Sequence, residues 1–147
     1  MTETAWLDSL IRTNVIVADS ILEEIRNHME FLGYQTEVLE NELHFHQEGR
    51  YRWIVRDYAG GVLFYKTFCG IEHVADATMS LTQMVNRMNV VTRVLHYYVN
   101  ADNGLVMEAW HPNLYEKRSF GKFFNLIDDD VRTQLEREKG EIQRLLQ

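Results

Sequence analysis

The sequence predicts an α+β fold: an antiparallel sheet flanked by helices, in the order α-β-β-β-α-β-β-α. Three observations carry that prediction. Stretches of alternating apolar and polar residues are joined by short glycine-bearing turns, which only antiparallel neighbours accept. Around them lie stretches with apolar residues three and four apart, the period of a helix with one buried face. Those faces need cover, and a twisted sheet with helices packed on it supplies cover for both kinds of element.

Before the first marked element, Trp6, Leu7, Leu10 and Ile11 have the spacing of one or two helical turns, and Val15-Ile16-Val17 forms a short apolar run. A helix is predicted from Ser20 to Leu32. Ser20 and Glu23 have capping-box spacing, in which each side chain accepts the other residue's free backbone N–H. Ile21, Leu22, Ile25, Met29 and Leu32 form one stripe, and Gly33 supplies the left-handed position that ends the helix.

Three strands follow. Leu43 and Phe45 alternate with Glu42, His44 and His46; Tyr51, Trp53 and Val55 alternate with Arg50, Arg52 and Arg56. A three-residue loop with Gly49 in its bulge position sets Phe45 opposite Tyr51 and Leu43 opposite Trp53. A two-residue loop would put Phe45 opposite Arg52 and turn one apolar face to water, so the longer loop is expected. Tyr58-Ala59-Gly60-Gly61 is the next turn. The strand from Val62 to Cys69 is apolar on both faces, which suits a central strand or one whose outer face meets a partner.

A second helix is predicted from Asp76 to Val91, with Leu81, Met84, Val85, Met88 and Val91 as its stripe. The next hairpin, TRVLHYYVN and LVMEAWH, turns at Asp102-Asn103-Gly104. Its expected register sets Val99 opposite Met107, Tyr97 opposite Ala109 and Leu95 near His111, leaving His96, Tyr98, Val106, Glu108 and Trp110 on the other face. Pro112 ends the strand. Ser119 is the expected cap of the last helix, with Phe120, Phe123, Phe124, Ile127, Val131 and Leu135 as its stripe, and Ile142, Leu145 and Leu146 give the tail apolar residues of its own.

Length and composition fit one domain. The chain has 147 residues, 46% of them apolar, and a single proline and eight glycines leave little material for a linker. The expected organisation is one domain over 1–147: an extension at 1–18, a core at 19–135 and a helical tail at 136–147. The net charge of −7 opposes phosphate backbones and anionic lipid, so neither nucleic acid nor a membrane is the expected partner, whereas a basic protein segment would suit. No stretch approaches the ~18 apolar residues of a membrane span, and the first residues lack a secretory pattern. One cysteine allows no internal disulfide, so the cytoplasm is the expected location.

Candidate chemistry is sparse. His44 and His46 share a strand face, as a zinc-binding pair would, but the third ligand is missing and Arg50 and Arg52 lie where they would repel a cation. His96 and His111 fall on opposite faces in the expected register. Cys69 has His73 four residues on but nothing to orient a base. Gly60-Gly61 lacks the lysine and helix of a phosphate loop. Asp128-Asp129-Asp130 lacks the spaced oxygens of a calcium loop and is expected near a helix start or on a solvated face. No catalytic residue, metal ligand or cofactor site is assigned, and no enzymatic activity is expected. The remaining candidate is a surface: Tyr98, Val106 and Trp110, which are core if a helix covers them and otherwise a partner-binding patch. Met79, Met84 and Met88 invite the same two readings, with packing favoured.

The helix ending FLGYQTEV, the strands ELHFHQEGRYRWIVRDYAGGVLFYKTF, the helix QMVNRMNVV and the hairpin NADNGLVMEAW together resemble the YbjN-like bacterial family, labelled a sensory transduction regulator. The same element order is similar to the class I chaperones of type III secretion. The resemblance covers about residues 19–135 and rests on element order and on the passage from Asn86 and Asn89 into the second hairpin. It implies a non-enzymatic cytoplasmic bacterial protein that binds another protein, with homodimerisation open, and it carries over no catalytic residue. Two functions follow as alternatives: a regulatory or adaptor module, or a chaperone that holds a secreted client extended on its surface. A histidine-based metal-binding protein is the weaker third.

Overall fold

The structure is a computed structural model that describes residues 21–71, 74 and 76–147. The expected turns around Trp6, the Val15–Val17 run, the Ser20 half of the capping box and His73 lie outside the described residues. Among the described residues, six strands form one antiparallel sheet in the order β1-β2-β3-β4-β6-β5. They are β1 (Gln35–Leu39), β2 (Glu42–His46), β3 (Trp53–Tyr58), β4 (Gly61–Phe68), β5 (His96–Val99) and β6 (Leu105–Pro112). The chain divides into two compact units, one from 21–64 with 110–117, the other from 65–109 with 118–147.

In the first unit, helix α1 is described over residues 21–31. It ends as Gly33 predicts, with φ at 94°. The Gly33 N–H bonds the Glu30 carbonyl (3.0 Å) and the Tyr34 N–H bonds the Met29 carbonyl (3.0 Å), so two of the last free carbonyls of the helix are satisfied. The Schellman turn leads into β1, a strand that the alternation did not reveal. β1 joins β2 through Glu40 and Asn41, both at positive φ (49° and 66°), the geometry of a type I′ turn. Ala59 and Gly60, at 49° and 76°, make the same turn between β3 and β4.

The β2–β3 register differs from the expected one by two residues: Phe45 faces Trp53 and Leu43 faces Val55. The turn closes at Gln47–Arg50 (3.0 Å), with Gly49 at φ 80°, and Tyr51 stays outside the ladder. A shift of two keeps every apolar side chain on its face, which is why burial alone did not distinguish the registers. Ile25, Met29, Phe45, Val55, Val62 and Phe64 are fully buried here. Phe45 takes edge-to-face positions against Tyr34 (5.4 Å) and Phe64 (6.2 Å). Leu63 is buried as well (5% exposed), so β4 is covered on both faces, as a central strand should be.

The second unit contains helices α2 (Ala77–Val91), α3 (Lys117–Arg137, apart from its first residue) and α4 (Lys139–Leu145). Leu81, Met84, Val85 and Met88 are the buried face of α2, while Met79 is exposed. Helix α3 starts at Lys117, so Ser119 lies inside its first turn rather than capping it. Asp128, Asp129 and Asp130 start no second helix, since α3 runs through them. The β5–β6 register again differs by two: Tyr97 faces Met107 and Tyr98 faces Val106. The loop has three residues as expected, but they are Ala101, Asp102 and Asn103. Asn100 pairs with Gly104 (3.0 Å), and Asn103 takes the left-handed position at φ 54°. The Asn100 carboxamide selects this frame by accepting the N–H groups of Asp102 (3.0 Å) and Gly104 (2.8 Å). The tail is tied down where Leu146 bridges Gly70 and the Gln147 N–H bonds the Cys69 carbonyl (2.9 Å).

Candidate interaction surfaces

Among the described residues the two edges of the sheet are β1 and β5, and they are treated differently. The Asn100 N–H donates to the Gly104 carbonyl, so Tyr97 and Leu95, at odd offsets from Asn100 along the strand, aim their backbone groups away from β6. Asn89 of α2 meets both groups of Tyr97: its Oδ1 accepts the N–H (2.9 Å) and its Nδ2 donates to the carbonyl (2.9 Å). It thereby stands in for a neighbouring strand. Asp130, 2% exposed, does the same for the entry to β5. Its Oδ2 accepts from the backbone N–H groups of Arg93 (3.0 Å), Val94 (2.9 Å) and Leu95 (3.2 Å) and from the Thr92 hydroxyl (3.0 Å). Burial pushes the Asp130 carboxyl upward, but these bonds together outweigh it and hold the group below its ordinary value. The expected solvated position is wrong for Asp130, because its donors come from residues 92–95, far away in sequence. Glu138, before α4, receives a two-pronged bond from Arg87 (3.0 and 2.9 Å), which holds its carboxyl low against the opposing effect of burial.

Of the residues expected to meet a partner, Tyr98 is 43% exposed and Trp110 45%, while Val106 is buried at 5%. In the second unit, Tyr98 stacks on His96 (6.3 Å) and faces Val106 across the ladder. His96 Nε2 lies 2.6 Å from Glu108 Oε1, and the Tyr98 hydroxyl donates to Glu108 Oε2 at 3.5 Å, the outer limit for such a bond. In the first unit, the Trp110 indole N–H donates to the Tyr58 carbonyl (2.9 Å). Its ring lies so close to Gly61 that a Cβ there would stand 2.7 Å from two ring carbons and would meet the His111 carbonyl as well. Tyr58 is itself 53% exposed, with the Arg56 guanidinium 5.9 Å from its ring centre. The sequence placed Tyr58 in a turn and not on a surface, because a residue flanking a turn carries no periodic signal; the structure makes it the last residue of β3.

The groups considered for chemistry sit as follows. His44 contacts Glu42 (3.4 Å), and Arg52 Nη2 lies 3.3 Å from its Nδ1, so a cation already occupies that side of the ring. His111 is buried, with Nδ1 2.8 Å from the Pro112 carbonyl. Cys69 is exposed and makes no disulfide. Among the described residues no group of three or more histidine, cysteine or acidic side chains is placed to hold a metal ion. Among them, too, no helix is long and apolar enough to cross a membrane.

Among solved structures, YbjN from E. coli, described as a candidate transcription regulator, matches this chain with a TM-score of 0.67 at 15% sequence identity. The match covers 86% of this chain and 95% of that one. The fold is YbjN-like. At this identity the likeness to YbjN concerns backbone architecture, and it bears out the α+β fold and the YbjN-like resemblance drawn from element order. No protein-family profile and no curated protein matches the sequence.

Proposed function

We propose that this chain is a non-enzymatic protein-binding module, a regulatory or adaptor protein of the YbjN-like type that works in the cytoplasm. The observation that carries the reading is the exposed, immobilised Trp110. Its ring is seated against Gly61 and its only donor is already bonded to Tyr58, so little side-chain entropy is left to lose when a partner covers it. Tryptophan and tyrosine are the residues on which binding energy concentrates, and Arg56 beside Tyr58 adds a third residue of that kind. Tyr98, backed by Val106, is the corresponding aromatic of the second unit. A YbjN-like fold supports a regulatory role through the description that YbjN itself carries.

The test is affinity purification from the source cells with the wild-type chain and with Trp110→Ala and Tyr98→Ala. Neither substitution opens a buried cavity. A discrete polypeptide should accompany the wild type and fall at least about ten-fold with Trp110→Ala, as expected for a residue worth more than ~1.4 kcal/mol. Equal recovery from both would refute the assignment of Trp110. Light scattering of the purified chain decides whether a second copy is the partner.

A further inference from the structure

Among the described residues, β1 pairs with β2 alone and its other side carries no strand. We propose that β1 takes up an extended, basic segment of a partner protein as an added antiparallel or parallel strand, an inference that rests on the protein-binding reading but not on Trp110. The type I′ turn at Glu40-Asn41 makes Leu39 and Glu42 a hydrogen-bonded pair, so Glu37 and Gln35 also bond to β2. Thr36 and Val38 therefore point their N–H and C=O groups outward, and among the described residues nothing bonds them. The contrast with β5 is instructive, since there Asn89 and Asp130 occupy the outward groups. Exposed edges invite strand addition unless they are blocked, and β1 carries neither proline nor lysine to block it.

The surroundings specify the occupant. A cleft of about 220 Å³ opens beside β1, with Leu22, Val38 and Leu43 as its apolar wall and Glu23, Arg26, Asn41 and Glu42 around it. Val38 is 54% exposed, and Leu39, on the opposite face, 42%. An added strand would set one apolar side chain into the cleft, while main-chain bonds to Thr36 and Val38 give affinity without demanding a particular sequence. Residues 21–42 hold six glutamates against a single arginine and no lysine. The favoured segment is therefore one that alternates β-branched residues with lysine or arginine.

The experiment uses the full chain and two nine-residue probes, one alternating valine with lysine and one alternating valine with glutamate. Fluorescence anisotropy should show the lysine peptide binding at least ten-fold more tightly, with an affinity that falls as salt rises. Bound peptide should slow hydrogen exchange at the Thr36 and Val38 amides. Val38→Pro removes an outward N–H without breaking a bond to β2, so it should weaken the peptide ten-fold or more at an unchanged circular dichroism spectrum. Equal binding by the Val38→Pro chain, or by the glutamate peptide, overturns the proposal. So does protection of the Thr36 and Val38 amides before any peptide is added: at all protein concentrations it would assign the edge to this chain's own residues, and only at high concentration to a second copy. A failed Val38→Pro result beside a positive Trp110→Ala result would sink the strand addition and leave the protein-binding reading standing.

Discussion

Replacing Asp130 should be the most damaging single change in the second unit. Its Oδ2 gathers the N–H groups of residues 93–95 and the Thr92 hydroxyl, and the carboxylate is only 2% exposed. Hydrogen bonds to a charged group each contribute about 1.5–3 kcal/mol, and a donor left buried without a partner costs about 1–3 kcal/mol. The bonds share one acceptor and do not add, so Asp130→Ala should cost about 3–5 kcal/mol. Asp130→Asn keeps the shape and one acceptor and should cost about 1–3 kcal/mol. For a chain of this size 3 kcal/mol corresponds to roughly 6–12 °C in the unfolding midpoint. The assay is thermal and urea unfolding by circular dichroism, repeated as a function of pH. The folded Asp130 carboxyl lies below its ordinary value, so its contribution is fully present above the unfolded pKa of about 4 and is lost as pH falls through the lower folded value. The gap between wild type and Asp130→Asn should therefore be constant above about pH 5 and shrink on further acidification. A gap that is small at neutral pH, or that widens in acid, would refute the capping role.

Three further substitutions follow from particular geometries. Ala59 holds a left-handed conformation at φ 49° that suits glycine, so Ala59→Gly should stabilise the chain by up to about 1 kcal/mol, read from the urea midpoint. Gly61→Ala would drive a Cβ into the Trp110 ring and should displace it, shifting tryptophan emission and costing about 1–3 kcal/mol. Asn89→Ala removes both bonds to Tyr97, should cost about 1–2 kcal/mol and opens the β5 edge; light scattering should then show concentration-dependent association that the wild-type β5 edge does not support.

Much of the fold was legible because burial has a period. The stripes of α1, α2 and α3, except for Leu32 and Val91, which are exposed at 45% and 43%, and the apolar faces of β2, β3, β5 and β6 follow from which residues avoid water, while the end of α1 follows from the left-handed conformation of Gly33. What burial cannot see is a shift by two residues, and both hairpin registers differed by that amount. Strand β1 was missed because QTEVL is exposed at four of its five positions, so it carries no alternation to detect. The left-handed pair Glu40-Asn41 was its one available signal. Asp130 and Asn89 were missed for another reason: a polar residue in a helix looks solvated until the backbone groups it serves are brought to it by tertiary structure. Of the expected partner-binding residues, alternation placed Tyr98 and Val106 on one face, but their different exposure depends on what packs nearby.

The central claim is that this chain holds a protein through its exposed aromatics, and photo-crosslinking from position 58 tests it most directly. With a photoreactive phenylalanine analogue in place of Tyr58, irradiation in the source cells should yield one dominant adduct with a discrete polypeptide, and Trp110→Ala should abolish it. Adducts no more frequent or more discrete than those from Arg132, a side chain that is 79% exposed on α3, would contradict the account.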